Sequence, residues 1–109
     1  AELQALSSRL DATLAQHHAV VQQAESERAA AATEREALQA HLQAAGIPSM
    51  IYYPIPAHRQ KMFAAFDLQN LQLPLTEQLC GQVISLPIHT EMDEQQLSYI
   101  IENVLSFFK

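Results

Sequence analysis

The first 45 residues contain neither glycine nor proline. Ala, Gln, Glu and Leu dominate the run, so it lacks the two strongest helix breakers and is rich in helix formers. It leaves room for one long helix to about Ala45, or for two helices with a soft join near Ala29–Thr33. Leu3, Leu10, Leu14 and Val21 recur at spacings of seven, four and seven, with Leu6 beside them. That is an apolar stripe on one helix face. The same register passes through Ala24, Arg28, Ala31 and Arg35 before regaining Leu38 and Leu42, which makes the middle of the seam weak. Two readings of the stripe stand side by side: a seam joining copies of the chain into a homo-oligomer, or a face that folds back on the C-terminal part. Gly46 is placed to cap the helix, and Pro48 to prevent its restart.

Beyond Gly46 the pattern changes. Met50-Ile51-Tyr52-Tyr53 is a short β-favouring run closed by Pro54 and Pro56. Pro54-Ile55-Pro56 should be extended and stiff. Met62, Phe63 and Phe66 fall at helical spacing, so a short helix is expected from His58 to Phe66. Asp67 to Pro74 reads as a loop with Leu68, Leu71 and Leu73 turned inward. Thr76 is placed to cap a helix from Glu77 to about Gln82. Val83-Ile84-Ser85-Leu86 reads as a brief strand stopped by Pro87. Asp93 and Gln96 have the spacing of a capping box for a last helix, whose Leu97, Ile100, Ile101, Val104, Leu105 and Phe108 form one apolar face. The expected fold class is therefore α+β, or an α/β fragment. A long N-terminal helix precedes a small-domain fragment with two or three short strands and three helices. Two short strands do not make a stable sheet alone, so further strands must come from another part of the protein or another chain.

Charge narrows the function classes. The net charge is −6, with six acids and three bases in residues 1–45 and the same numbers in residues 46–109. No basic patch exists to neutralise phosphates, which argues against nucleic-acid binding. The N-terminal helix lacks the Lys- and Arg-rich polar face of a membrane-surface helix, and no apolar run approaches a span of about 20 residues. The lone Cys80 excludes an internal disulfide, so a reducing cytoplasm is the simplest setting.

Few side chains offer chemistry. Tyr52 and Tyr53 should face opposite sides of an extended segment, one to the core and one to the surface. His58 follows two prolines; it either caps the next helix or offers a hydrogen bond or a proton. His17 and His18 diverge by about 100° on a helix and make a poor metal pair. His89 reads as a loop residue, Cys80 as a small buried hydrophobe, and Lys61 as a solvated side chain.

The segments Arg35 to Leu42, Gly46-Ile47-Pro48, and Ile51-Tyr52-Tyr53-Pro54-Ile55-Pro56-Ala57-His58-Arg59-Gln60 resemble the DegT/StrS-type nucleotide-sugar aminotransferases. Leu73-Pro74-Leu75-Thr76-Glu77, Ile84-Ser85-Leu86-Pro87-Ile88-His89 and the closing Leu97–Phe108 segment extend the resemblance. It divides the chain into an Ala/Gln-rich, coiled-coil-like segment, 1–32, and a C-terminal small-domain segment, 33–109. It implies transfer of an amino group, usually from glutamate, to a keto nucleotide-sugar through pyridoxal phosphate, in amino-sugar and surface-polysaccharide biosynthesis. It also implies substrate contacts at Tyr52, Tyr53 and His58, with Tyr52 standing where His is commoner. The family's Schiff-base lysine belongs to a large domain, and neither Lys61 nor Lys109 sits in that motif. The chain alone is therefore expected to bind no cofactor and to be inactive. The alternative is a helical interaction module carrying a folded passenger.

Overall fold

The computed structural model describes residues 1–109 except the side chain of Gln69. One unbroken helix, α1, spans Glu2–Ala44, so no join interrupts it near Ala29–Thr33. The chain divides into two compact units, residues 1–30 and residues 31–109.

The first unit is helix alone. Side-chain hydrogen bonds run along the helix from Thr13 Oγ1 to the Arg9 carbonyl (2.8 Å) and from Gln23 Nε2 to Glu27 Oε1 (3.1 Å). Leu3, Leu6, Leu10, Leu14 and Val20 are all exposed.

The second unit is built on the end of α1. Gly46 adopts φ +74°, the left-handed conformation that glycine accepts without steric cost. The Gly46 amide donates to the Gln43 carbonyl (3.0 Å) and the Ile47 amide to the Leu42 carbonyl (2.8 Å). This is the Schellman pattern, and it places Ile47 beside Leu42. Leu38, Leu42 and Ile47 form the core, with Leu42 fully buried. Ala45, Ile84, Ile100, Val104 and Phe107 pack around them.

The closing helix, α3, spans Glu94–Phe107 and opens with the expected capping box: the Gln96 amide donates to Asp93 Oδ1 (2.7 Å), and the Asp93 amide to Gln96 Oε1 (3.2 Å). Polar ties bind it to the end of α1 and the cap that follows. The Tyr99 hydroxyl donates to the Ala45 carbonyl (2.8 Å), and His41 Nε2 lies 3.0 Å from the Asn103 carbonyl. The apolar face of α3 divides, against expectation. Ile100, Val104 and Phe107 meet the core, while Leu97, Ile101, Leu105 and Phe108 remain exposed.

The expected strands do not form among the described residues. Met50–Tyr53 and Val83–Leu86 meet in one isolated antiparallel bridge, Met50 with Ser85, closed by two backbone bonds of 3.0 and 2.8 Å. Pro48, Pro54 and Pro87 flank these segments. Each lacks an amide donor, and no third strand offers the pairing a sheet needs. The helix expected at 58–66 is replaced by 3-10 turns at Ala57–Arg59 and Lys61–Phe66, followed by another at Leu68–Asn70 inside the expected loop. Asp67, at φ +51°, separates the last two. Helix α2 spans Pro74–Cys80, beginning with proline in its first turn rather than with a Thr76 cap.

The buried interior is small for the mass. A compact 12.2 kDa monomer exposes about 6,100 Å², whereas this chain exposes 8974 Å².

Candidate functional site

The residue with the most developed environment is His58. Pro56 is extended (φ −56°, ψ 143°) and delivers His58 into the Ala57–Arg59 turn. There it is buried, with 6% of its surface exposed, the one polar residue so enclosed among those described. Its Nε2 lies 3.0 Å from Glu77 Oε1, in the first turn of α2. Arg59 reaches the same carboxylate oxygen through Nη2 at 3.0 Å, and its Nε lies 3.3 Å from His58 Nε2. A carboxylate only accepts, so the Nε2 proton belongs to the shorter, charge-assisted contact with Glu77. Arg59 then serves Glu77 rather than the imidazole. The hydrogen bond from His58, and after it that from Arg59, holds the Glu77 carboxyl below its ordinary value of 4.5.

The clasp fixes the ring and leaves its other nitrogen without a partner: His58 Nδ1 is buried and unbonded. Beside the ring lies a cavity of about 250 Å³, walled chiefly by Phe63, Leu68 and Leu73. The site thus offers one oriented imidazole nitrogen near an apolar hollow, with an acid and a base already committed to each other.

The other sequence candidates lie apart from this clasp. Tyr52 and Tyr53 are both exposed, so neither is a core tyrosine. Both follow the bridge at Met50, and among the described residues no hydrogen bond holds either hydroxyl. His58 makes no side-chain helix cap. His89 is exposed and borders a second, shallow cavity of about 310 Å³ with Pro87, Met92 and Tyr99. His17 and His18 are exposed, and no group of three His, Cys, Asp or Glu among the described residues is arranged to hold a metal. Cys80 is half-buried, and its carbonyl accepts from Arg35 Nη1 (2.9 Å).

Sequence reading missed Glu77 as the partner of His58. The two are 19 positions apart, in different elements, and no periodicity links them. An acid in the first turn of a helix was the sole visible signal. It missed His41 for the same reason, since Asn103 and Phe107 lie more than sixty residues along the chain.

The sequence matches a known family over nearly the whole chain. The model of the DegT/DnrJ/EryC1/StrS aminotransferase family matches residues 1–105. The chain belongs to this family, whose enzymes depend on pyridoxal phosphate. A UDP-N-acetyl-3-dehydro-alpha-D-glucosamine 3-aminotransferase of Acidithiobacillus ferrooxidans is 46% identical over 66 residues, covering 61% of this chain and 17% of that protein. A dTDP-3-amino-3,6-dideoxy-alpha-D-galactopyranose transaminase of Aneurinibacillus thermoaerophilus is 38% identical over 71 residues, 65% of this chain and 19% of the relative. A "pleiotropic regulatory protein" of Geobacillus stearothermophilus is 38% identical over 78 residues, 72% of this chain and 21% of its own length. The chain thus spans about a fifth of the length of the curated relatives it matches.

The residues present do not fit the family's cofactor. An imine-forming lysine needs an enclosed or cation-flanked amine, but Lys61 and Lys109 are both exposed. In residues 31–109 the two arginines that could meet a phosphate are committed, Arg35 to Cys80 and Arg59 to Glu77.

Proposed function

We propose that this chain is the C-terminal lobe of a pyridoxal-phosphate-dependent aminotransferase that moves an amino group, usually from glutamate, onto a keto nucleotide-sugar. On this reading residues 33–109 are the small-domain segment and residues 1–32 a helical segment joined to it. The lobe forms a wall over the sugar, and the lysine and phosphate cradle come from residues outside this chain. The product would be an amino sugar for surface polysaccharide, made in the cytoplasm. The observation carrying this reading is the family match through residues 1–105, together with relatives named as sugar-nucleotide transaminases.

Tyr52 and Tyr53 supply exposed aromatic faces and hydroxyls for the sugar. His58, its Nε2 proton held by Glu77, presents Nδ1 as a hydrogen-bond acceptor. By itself the chain performs no transamination. Mixing it with pyridoxal phosphate should give no stoichiometric imine band, and borohydride should lock no cofactor onto Lys61 or Lys109. A reducible band at either lysine would overturn the assignment of the cofactor site to another part of the protein. For the sugar wall, titration with a UDP-sugar should shift the NMR signals of Tyr52, Tyr53 and His58 before those of α3. Shifts confined to α3 would place the sugar elsewhere.

A further inference from the structure

The hollow beside His58 carries an inference that deepens the aminotransferase reading and rests on it. Its volume is about 250 Å³, and Ala57, His58, Phe63, Leu68, Leu73 and Thr76 line it. Phe63 and Leu68 are half-buried and present carbon alone. Water on such walls finds few hydrogen-bond partners, so an apolar group that displaces it gains affinity.

The polar groups at the hollow sort substituents by charge. No Lys, Arg, Asp or Glu lines it. The Arg59 guanidinium is already paired with Glu77 at 3.0 Å. His58 gives its Nε2 proton to the same carboxylate, 3.0 Å away, and keeps Nδ1 as a buried, unbonded acceptor. A carboxylate also only accepts, so a uronic-acid sugar would meet no free cation here and would bring a second negative charge toward Glu77. A plain hexose offers hydroxyl donors but nothing for the carbon walls. An acetamido group suits both features: its methyl is apolar, and its amide N–H is a donor that an acceptor nitrogen can receive. We propose that this hollow takes the acetamido group of the nucleotide-sugar, so that the lobe selects an N-acetylated sugar over a plain hexose and over a uronate.

NMR titration of the full chain with UDP-N-acetylglucosamine, UDP-glucose and UDP-glucuronate isolates the substituent, because the three share their nucleotide. UDP-N-acetylglucosamine should bind about fourfold or more tighter than UDP-glucose, the gain expected from burying one methyl. It should also shift the signals of Phe63, Leu68 and Leu73. UDP-glucuronate should bind weakest and leave those signals in place. Leu73→Asn removes an apolar wall and puts a favoured residue at the N-cap of α2. With its circular dichroism confirming the fold, that variant should lose the preference, the affinity ratio falling to about one. Equal affinity for the three sugars, with Tyr52, Tyr53 and His58 shifted, would overturn this proposal and leave the sugar wall standing. A preference for UDP-N-acetylglucosamine without shifts at the hollow would overturn it too. No response to any of the three would overturn the sugar wall itself, and the acetamido site with it.

Discussion

The two parts of α1 use leucine in opposite ways. In residues 1–30 Leu3, Leu6, Leu10 and Leu14 are exposed, whereas in residues 31–109 Leu38 and Leu42 on the same α1 are buried against chain from far along the sequence. Helix formation is thus common to both units and explains neither difference. What separates them is closure. After Gly46 the chain reverses, and Ile47, Ile84, Ile100, Val104 and Phe107 reach the α1 face. The first unit has no such return. A helix of this composition forms from local preference, but its apolar face gains burial only from a partner.

The largest expected effect tests that contrast directly. Leu42→Ala empties the one fully buried side chain and should cost the lobe about 3 kcal/mol in urea denaturation followed by circular dichroism. The same change at Leu14, measured at a dilution where the chain is monomeric, should cost less than about 0.5 kcal/mol. Comparable losses at the two sites would erase the distinction between the units. Gly46→Ala probes the reversal itself. Nothing lies within 4 Å of the added Cβ, so the penalty comes from φ +74° alone. It should amount to about 1 kcal/mol in the same assay. A neutral result would show that the cap tolerates another backbone conformation.

What the sequence made legible follows the range of the interactions. The long helix, its glycine cap and the Asp93–Gln96 capping box are set by neighbours a few residues apart, and each forms as expected. The strands at Met50–Tyr53 and Val83–Leu86 have strand-like composition but meet only at Met50 and Ser85. Strand pairing depends on partners that composition does not reveal. The apolar run in α3 was legible as apolar, but the choice of Phe107 over Phe108 for the core depends on where His41 and Leu38 stand. At the candidate site, His58 was visible from its turn, while Glu77, which orients it, was not.

The smallest expected effect belongs to that clasp, and it sharpens the comparison because the first unit has no counterpart to it. Glu77 has a carboxyl value held below 4.5, first by His58 and then by Arg59. Its stabilising contribution is therefore complete above pH 4.5 and is lost as pH falls through the lowered folded value. Glu77 is partly open to solvent, so the effect is screened and modest. Urea midpoints of the lobe should decline below pH 4.5, and Glu77→Gln should flatten that part of the profile while lowering the midpoint at neutral pH. Helicity of residues 1–30, followed by NMR amide signals, should be indifferent to the substitution. An unchanged acid limb in Glu77→Gln would mean that other carboxylates govern acid sensitivity and that the buried imidazole needs no acid to hold it.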